Sequence, residues 1–487
     1  MRTHQRYVRV TAFLILATLA APPAVSACNH RLPTLTSEYA KLILEVGSAA
    51  ERQQLHQCLI AGTAAPAILD DLIAHYLGQH DYETAAYWLT HAQFNGTIIP
   101  VWQRLSLALA EDDLQTAQTL LQEFNDEIAL TARVELLQRL HLFEDALVLA
   151  QHHLDSVIID DETDELARQA DILALTRAKR LRVHAASQDV GVLTIASAGA
   201  TVDFAVNDTH RIALQFSKHR LDSIERNDLS VDDVDQEEEL SLSAVRTQAS
   251  TRLTLRLGGN RRRDTSIVYG SFAWQWRLDP SIHATATLAV NQMTDATAVL
   301  RATGTKSYIS ATVTATPNRW NAVYLDLQGH RYQTRHNDTL ATGITARGTL
   351  SHVLTQHLPR WDISLRGVWE KNTLENDAPE HAARSVNADL TDVDTIISSD
   401  LRFVGIGTTL RHGNDRLEPG RPTNAFIDLY AGWLWPDSQA SYGMQMNLST
   451  SLSPRNRLNL EATYANALNG LSEQDSRKIG LSYRHRF

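Results

Sequence analysis

Two periodicities divide the chain. From about Thr36 to His184 apolar residues recur at helical spacing, whereas after about Val190 the spacing falls to two and stays there almost to the last residue. The front region therefore predicts helices and the rest predicts strands. Inside the helical region, two segments align without gaps, Gly78-Gln79-His80-Asp81-Tyr82-Glu83-Thr84-Ala85-Ala86-Tyr87-Trp88-Leu89 and, 32 residues later, Ala110-Glu111-Asp112-Asp113-Leu114-Gln115-Thr116-Ala117-Gln118-Thr119-Leu120-Leu121. A looser copy runs through Leu142-Phe143-Glu144-Asp145-Ala146-Leu147. Each copy ends a helix in a tight turn, opens the next with an acid, and puts a small Ala where two helices approach. Asp161, Glu162, Asp164 and Glu165, followed by Arg177, Lys179, Arg180 and Arg182, predict one more helix over 160–183 with charges complementing its dipole. It serves as the connector into the strand region.

The strands alternate clearly. Leu253, Leu255 and Leu257 oppose Arg252, Thr254 and Arg256; Trp361, Ile363 and Leu365 oppose Asp362, Ser364 and Arg366; Ile479, Leu481, Tyr483 and Phe487 oppose Lys478, Ser482, Arg484 and Arg486. The pattern predicts about 16 strands, near 197–206, 210–220, 239–248, 250–258, 265–277, 281–290, 296–303, 306–316, 319–331, 339–352, 359–371, 399–412, 423–435, 439–451, 455–466 and 476–487, with 14 as the alternative. An even number puts both barrel ends on the same side of a membrane.

Alternation suits a soluble sandwich as well as a membrane barrel. Tryptophans near strand ends, links that alternate in length, and the need to close any sheet that spans lipid favour the barrel. The expected class is α+β multidomain: a short N-terminal α-helical repeat domain followed by an antiparallel transmembrane β-barrel. Arg2, Arg6 and Arg9, an apolar stretch from Thr11 to Ala21, and Val25-Ser26-Ala27 read as a secretory signal. The domains are then 1–27 signal, 28–184 periplasmic helices and 190–487 barrel. Cys28 and Cys58 are the only cysteines; an oxidising compartment permits a disulfide between them, and acylation of Cys28 is the competing reading.

Composition adds little until charge is placed along the chain. Net charge is -11 over 487 residues, which argues against nucleic acid as a partner. No hydrolase, phosphate-cradling or metal-ligand motif is present, so no catalytic residue, cofactor or metal is expected, despite 20 histidines. Acids concentrate in two segments: Asp222, Glu225, Asp228, Asp232, Asp233, Asp235, Glu237, Glu238 and Glu239 in one, Glu375, Asp377, Glu380, Asp389, Asp392 and Asp394 in the other. As loops at a channel mouth they would raise the local concentration of a cationic passenger. The expected lumen carries both signs: Arg252, Arg256, Arg277, Arg366, Arg457, Arg484 and Arg486 against Asp362, Glu370, Asp428 and Glu461.

Leu72, Tyr76, Gly78, Tyr82, Ala85 and Ala92 resemble a tetratricopeptide repeat, and a last strand ending in Phe resembles the signal read by the barrel assembly machinery. In architecture the chain resembles outer-membrane exporters of bacterial exopolysaccharides. Ala431-Gly432-Trp433-Leu434-Trp435-Pro436-Asp437, Leu458 to Tyr464 and Gly480 to Phe487 are most similar to the barrel of the Pel polysaccharide exporters. The resemblance implies a channel that exports a cationic, partly deacetylated polymer, with the helices docking polymer or periplasmic synthesis or modification proteins. The chain departs from that family in having about three repeats where full-length exporters carry many. Surface lipoprotein assembly modulators, which also place a small helical domain before a barrel, are the second resemblance and imply a lipoprotein passenger.

Overall fold

The computed structural model describes residues 37–487 apart from 61–65, 80, 112, 155–160, 224–234, 249, 264, 280, 319, 356–358, 376–392, 394–395, 414–422, 436–437 and 467–474. It divides into two units, Met1–Leu136 and Leu137–Phe487.

The first unit contains α1 (Ser37–Val46), α2 (Ala49–Ile60), α3 (Pro66–Gly78), α4 (Tyr82–Phe94), α5 (Val101–Ala110), α6 (Leu114–Glu123) and most of α7 (Leu130–Arg139). The repeat is visible in its capping. Asp81 accepts from the Thr84 backbone N–H at 3.4 Å, and Asp113, 32 residues on, accepts from that of Thr116 at 3.2 Å. Such caps contribute about 1 kcal/mol each. The small residues meet the need for close approach, since Ala85 and Ala117 are both 0% exposed. Leu44, Leu55, Leu72, Ile73 and Trp88 form the core between them. Cys58 is disulfide-bonded; Cys28 lies outside the described residues.

The second unit opens with a helical hairpin, α8 (Phe143–Leu154) and α9 (Asp161–Arg177). Arg177 lies 3.3 Å from Glu144 and 3.4 Å from Asp208, and Asp208 accepts from the Glu144 backbone N–H at 2.6 Å. These contacts tie the hairpin to a turn of the barrel. Sixteen antiparallel strands follow and close on themselves: β1 (Arg180–Val190), β2 (Leu193–Ala205), β3 (His210–Ser223), β4 (Gln236–Thr247), β5 (Thr251–Arg262), β6 (Ser266–Asp279), β7 (Ile282–Gln292), β8 (Gly304–Asn318), β9 (Asn321–Thr334), β10 (Thr339–Thr355), β11 (Arg360–Leu374), β12 (Asp400–His412), β13 (Thr423–Trp435), β14 (Gln439–Ser453), β15 (Asn456–Asn466) and β16 (Ser476–Arg486). Closure is direct, with β1 paired to β16 from Arg180↔Arg486 to Val190↔Ser476.

Two expectations need correction, and they compensate in the count. The connector helix stops at Arg177, and the basic stretch after it is β1, whose Arg180, Arg182 and His184 alternate with Leu181 and Val183. Conversely, the strand expected over 296–303 is the short helix α10 (Ala298–Thr303), capped by Thr297, whose hydroxyl accepts from the Leu300 backbone N–H at 3.1 Å.

Outward positions are apolar along the strands: Leu240, Leu257, Ile406, Ile479 and Leu481 are 50–70% exposed. An apolar surface this extensive demands lipid rather than water. Aromatic residues mark both rims of this surface, with Trp274, Trp276 and Trp361 towards one end and Trp433, Trp435 and Tyr442 towards the other. Links at the end where the chain enters and leaves, such as 206–209, 281, 320 and 454–455, are short, 413–422 excepted; the opposite end carries 224–235, 293–303 and 375–399. Short turns belong to the periplasmic side. That side is called the near end below, and the opposite side the far end.

Candidate functional site

Alternation that turns leucines to lipid turns every second residue into the lumen. All eight principal lumen residues expected from the sequence, Arg252, Arg256, Arg366, Glu370, Asp428, Arg457, Glu461 and Arg484, fall on inward positions of their strands. What the alternation does not reveal is which of them meet.

Midway along the barrel they meet as opposite charges. Arg366 holds Asp428 through two bonds of 2.8 and 2.6 Å, and Thr409 donates to the same carboxylate at 2.6 Å. Two-pronged pairing of this kind fixes both side chains. Glu370 accepts from Thr345 and Asn372, each at 3.0 Å. Lys478 reaches Glu461 at 3.2 Å, and Arg347 faces Asp326 at 3.5 Å. Arg256 meets Glu239 at 2.9 Å, and Tyr269 also donates to that carboxylate. The phenol end of Tyr269 packs against Gly258, where a Cβ would collide with it.

At the far end the expected acidic loop is partly strand. Gln236 to Glu239 open β4, so Glu237 and Glu239 point inward while Glu238 faces out beside Lys218. The Glu237 carboxylate is 0% exposed and gathers three arginines: Arg301 at 2.8 Å, Arg335 at 2.9 Å, and Arg262. Arg262 also donates to the backbone carbonyls of Arg301 and Ala302. These bonds fasten α10 inside the barrel wall. All six residues of α10 are buried. Ala298, Val299, Leu300 and Ala302 pack with Val393, Ile396 and Ile397 of the β11–β12 link, and with inward Val190, Leu193, Ile195, Leu221 and Tyr332. Two links thus fold into the far end and build an apolar core within the lumen.

The other acidic positions divide. Asp222 faces outward on β3, while Asp235 and Glu375 adjoin strand ends at the far rim. Glu225, Asp228, Asp232, Asp233, Asp377, Glu380, Asp389, Asp392 and Asp394 lie outside the described residues.

At the near end the balance of charge is lost. Strand register puts Arg457 opposite Arg484, and Arg484 opposite Arg182, so that one row across β15, β16 and β1 is entirely basic. The next row holds Arg486 opposite Arg180. A cavity of about 380 Å³ opens against this wall, lined by Arg182, Arg411, Arg457 and Arg484 together with Asn424, Gln445, Asn447 and Asn459. Sequence reasoning misses Arg180 and Arg182 as lumen residues because it places them in a helix; their alternation with Leu181 and Val183 is the signal available. Among the described residues no group of three or more His, Cys, Asp or Glu side chains could hold a metal ion, and no helix is long and apolar enough to cross a membrane.

The description "PelB, C-terminal beta barrel domain" matches residues 175–486. Among solved structures the chain is similar to a bacterial polysaccharide outer membrane secretin, at 9% identity over 64% of this chain and 99% of that one, with a TM-score of 0.49. It is also similar to CdiB from Acinetobacter baumannii (8% identity, 64% of this chain, 60% of that one, TM-score 0.34) and to a BenF-like porin from Pseudomonas fluorescens Pf-5 (8%, 64%, 98%, TM-score 0.34). No curated protein matches it in sequence. The family match spans the whole of the closed barrel from before β1 to the last residue of β16, and so this outer-membrane β-barrel belongs to the family of PelB C-terminal barrel domains.

Proposed function

We propose that this protein carries an exopolysaccharide from the periplasm across the outer membrane. The observation that carries the reading is the match of a polysaccharide-exporter barrel family to the complete barrel, whose inward wall is largely polar outside the apolar core at the far end. The barrel works as a passive conduit in which side-chain amides, hydroxyls and ion pairs transiently replace water around sugar hydroxyls. No bond need be broken. Release requires the apolar core around α10 to part, and the Glu237 cluster sets how readily it does so. The tetratricopeptide-like helices are the docking surface for polymer or for periplasmic synthesis or modification proteins, with exposed Trp102 and Tyr87 as available contacts and Trp88 belonging to their core.

A cationic, partly deacetylated polymer is the finer reading that the acidic segments support. Within the described residues that support narrows to Asp222, Asp235 and Glu375 at the far end, since Glu237, Glu238 and Glu239 are held in ion pairs. The test uses cells with the gene deleted and restored, measuring secreted polysaccharide with a sugar-binding lectin and surface lipoproteins by protease shaving. Loss of secreted polymer alone is expected. Loss of lipoprotein exposure with polymer unchanged would replace this reading with that of a lipoprotein translocator.

A further inference from the structure

We propose that the near end of the lumen contains a binding site for an acidic sugar unit, its carboxylate held by Arg182, Arg457 and Arg484 and its hydroxyls by the neighbouring amides. The proposal rests on the export reading and gives the passenger the opposite sign from the one the acidic segments suggest.

The first observation is the row itself. Neighbouring strands lie about 4.8 Å apart, and like charges directly opposite one another destabilise a sheet. Arg457, Arg484 and Arg182 are directly opposite in sequence of strands. Other inward cations meet carboxylates: Arg256 pairs with Glu239, Arg366 with Asp428 and Lys478 with Glu461, and Arg360 and Arg411, which also stand opposite each other, share Asp362. No carboxylate among the described residues pairs with Arg182, Arg457 or Arg484.

The second observation is a buried donor. Arg457 is only 9% exposed; its Nε donates to Ser449, but its Nη2 has no hydrogen-bond partner among the described residues. Buried donors are almost always satisfied, and this one lines the cavity. An acceptor arriving in that cavity supplies the missing bond.

The third is the chemistry of the lining. Guanidinium groups present flat pairs of donors that match a carboxylate, while Asn447, Asn459 and Gln445 offer both donors and acceptors of the kind sugar hydroxyls use. At about 380 Å³ the cavity falls within the size range of small-ligand sites. Because it opens to the lumen and not to lipid, a sugar in transit meets it and a lipid headgroup does not.

Isothermal titration of the purified full chain in detergent with trigalacturonate, maltotriose, triglucosamine and sodium sulfate tests the proposal. Trigalacturonate should bind at least about tenfold more tightly than the other three, and less tightly as salt rises. Arg457→Gln and Arg484→Gln should each weaken it about tenfold, the size expected for losing one charge-assisted contact. Arg402→Gln, which removes the same charge from an outward position paired with Asp400, should not. The faster gel migration of unheated barrel establishes that each variant is folded, and Arg182→Gln replaces any that is not. Maltotriose or triglucosamine binding as tightly as trigalacturonate, sulfate matching it, or Arg457→Gln leaving affinity unchanged would overturn the site. Failure of the export reading is separate: cells lacking the gene would still secrete polymer, whatever the calorimeter records.

Discussion

At the far end of the lumen three arginines converge on one carboxylate, and at the near end three arginines stand side by side with none. The far-end side chains of Glu237, Arg262, Arg301 and Arg335 are at most 5% exposed. The near-end row keeps Arg182 exposed and Arg484 half-buried, with only Arg457 buried. The difference teaches where the barrel is structural and where it is available. A buried charge is tolerable only when matched, so the far-end cluster is committed to holding α10; an unmatched charge persists only where water or a ligand reaches it.

The largest expected break in this contrast comes from Glu237→Gln. It leaves three buried arginines without their carboxylate, a loss of about 3–5 kcal/mol by analogy with other broken buried pairs. The far-end core should loosen, read as a lower temperature for loss of the folded-barrel gel band and a higher conductance in planar bilayers. Unchanged values would mean that the cluster does not fasten the helix. Leu300→Ala, which empties some of the apolar core without touching charge, should act in the same direction and cost about 2–5 kcal/mol. A variant with raised conductance and an intact Glu237 would separate packing from ion pairing.

Acidification adds a third region, the helical unit, to the comparison. His56 and His75 in the helical unit are both held below the usual imidazole range, chiefly by burial, with Arg52 adding to it; His56 also shares a 2.8 Å hydrogen bond with Tyr76. Their folded forms therefore resist the proton. A unit or more above about pH 6.5, where free imidazole is almost wholly neutral, they contribute little to the pH dependence. As pH falls below that value the unfolded chain takes up protons that the folded unit refuses, so helical stability declines. The urea midpoint of the helical circular-dichroism signal should drop between pH 7.5 and 5.5, be level between 7.5 and 8.5, and flatten in His56→Gln/His75→Gln. A slope that survives the double substitution would assign the effect elsewhere.

The smallest effect is expected where the charge is unmatched. Arg484→Gln removes a like-charge neighbour of both Arg182 and Arg457 and should leave barrel stability, read from the gel-shift temperature, within about 0.5 kcal/mol of the parent, or raise it slightly. A loss comparable with that of Glu237→Gln would mean that the near-end arginines hold the wall together and are not free for a passenger.

The sequence disclosed what depends on local order and concealed what depends on register. Period-two alternation separated Leu253, Leu255 and Leu257 from Arg252 and Arg256, because a strand assigns its faces by neighbour alone. It could not indicate that Glu237 meets Arg301 and Arg335, residues brought there by links folding into the lumen. The segment Ala298-Val299-Leu300-Arg301-Ala302-Thr303 is too short to display a period, and its cap, Thr297, is equally at home before a strand. Arg180 and Arg182 misled in the opposite way: basic residues after an acidic stretch suit a helix C-terminus, yet the chain had already turned into β1.

One claim stands above the rest, that sugar polymer passes through this barrel once the far-end core parts. Its most direct test is release of fluorescent oligosaccharides, one acidic and one cationic, from liposomes holding the purified full chain, with wild type and Glu237→Gln side by side. Release should be slow from wild type and several-fold faster from the variant, with protein-free liposomes tight. Equal retention by all three would contradict the claim.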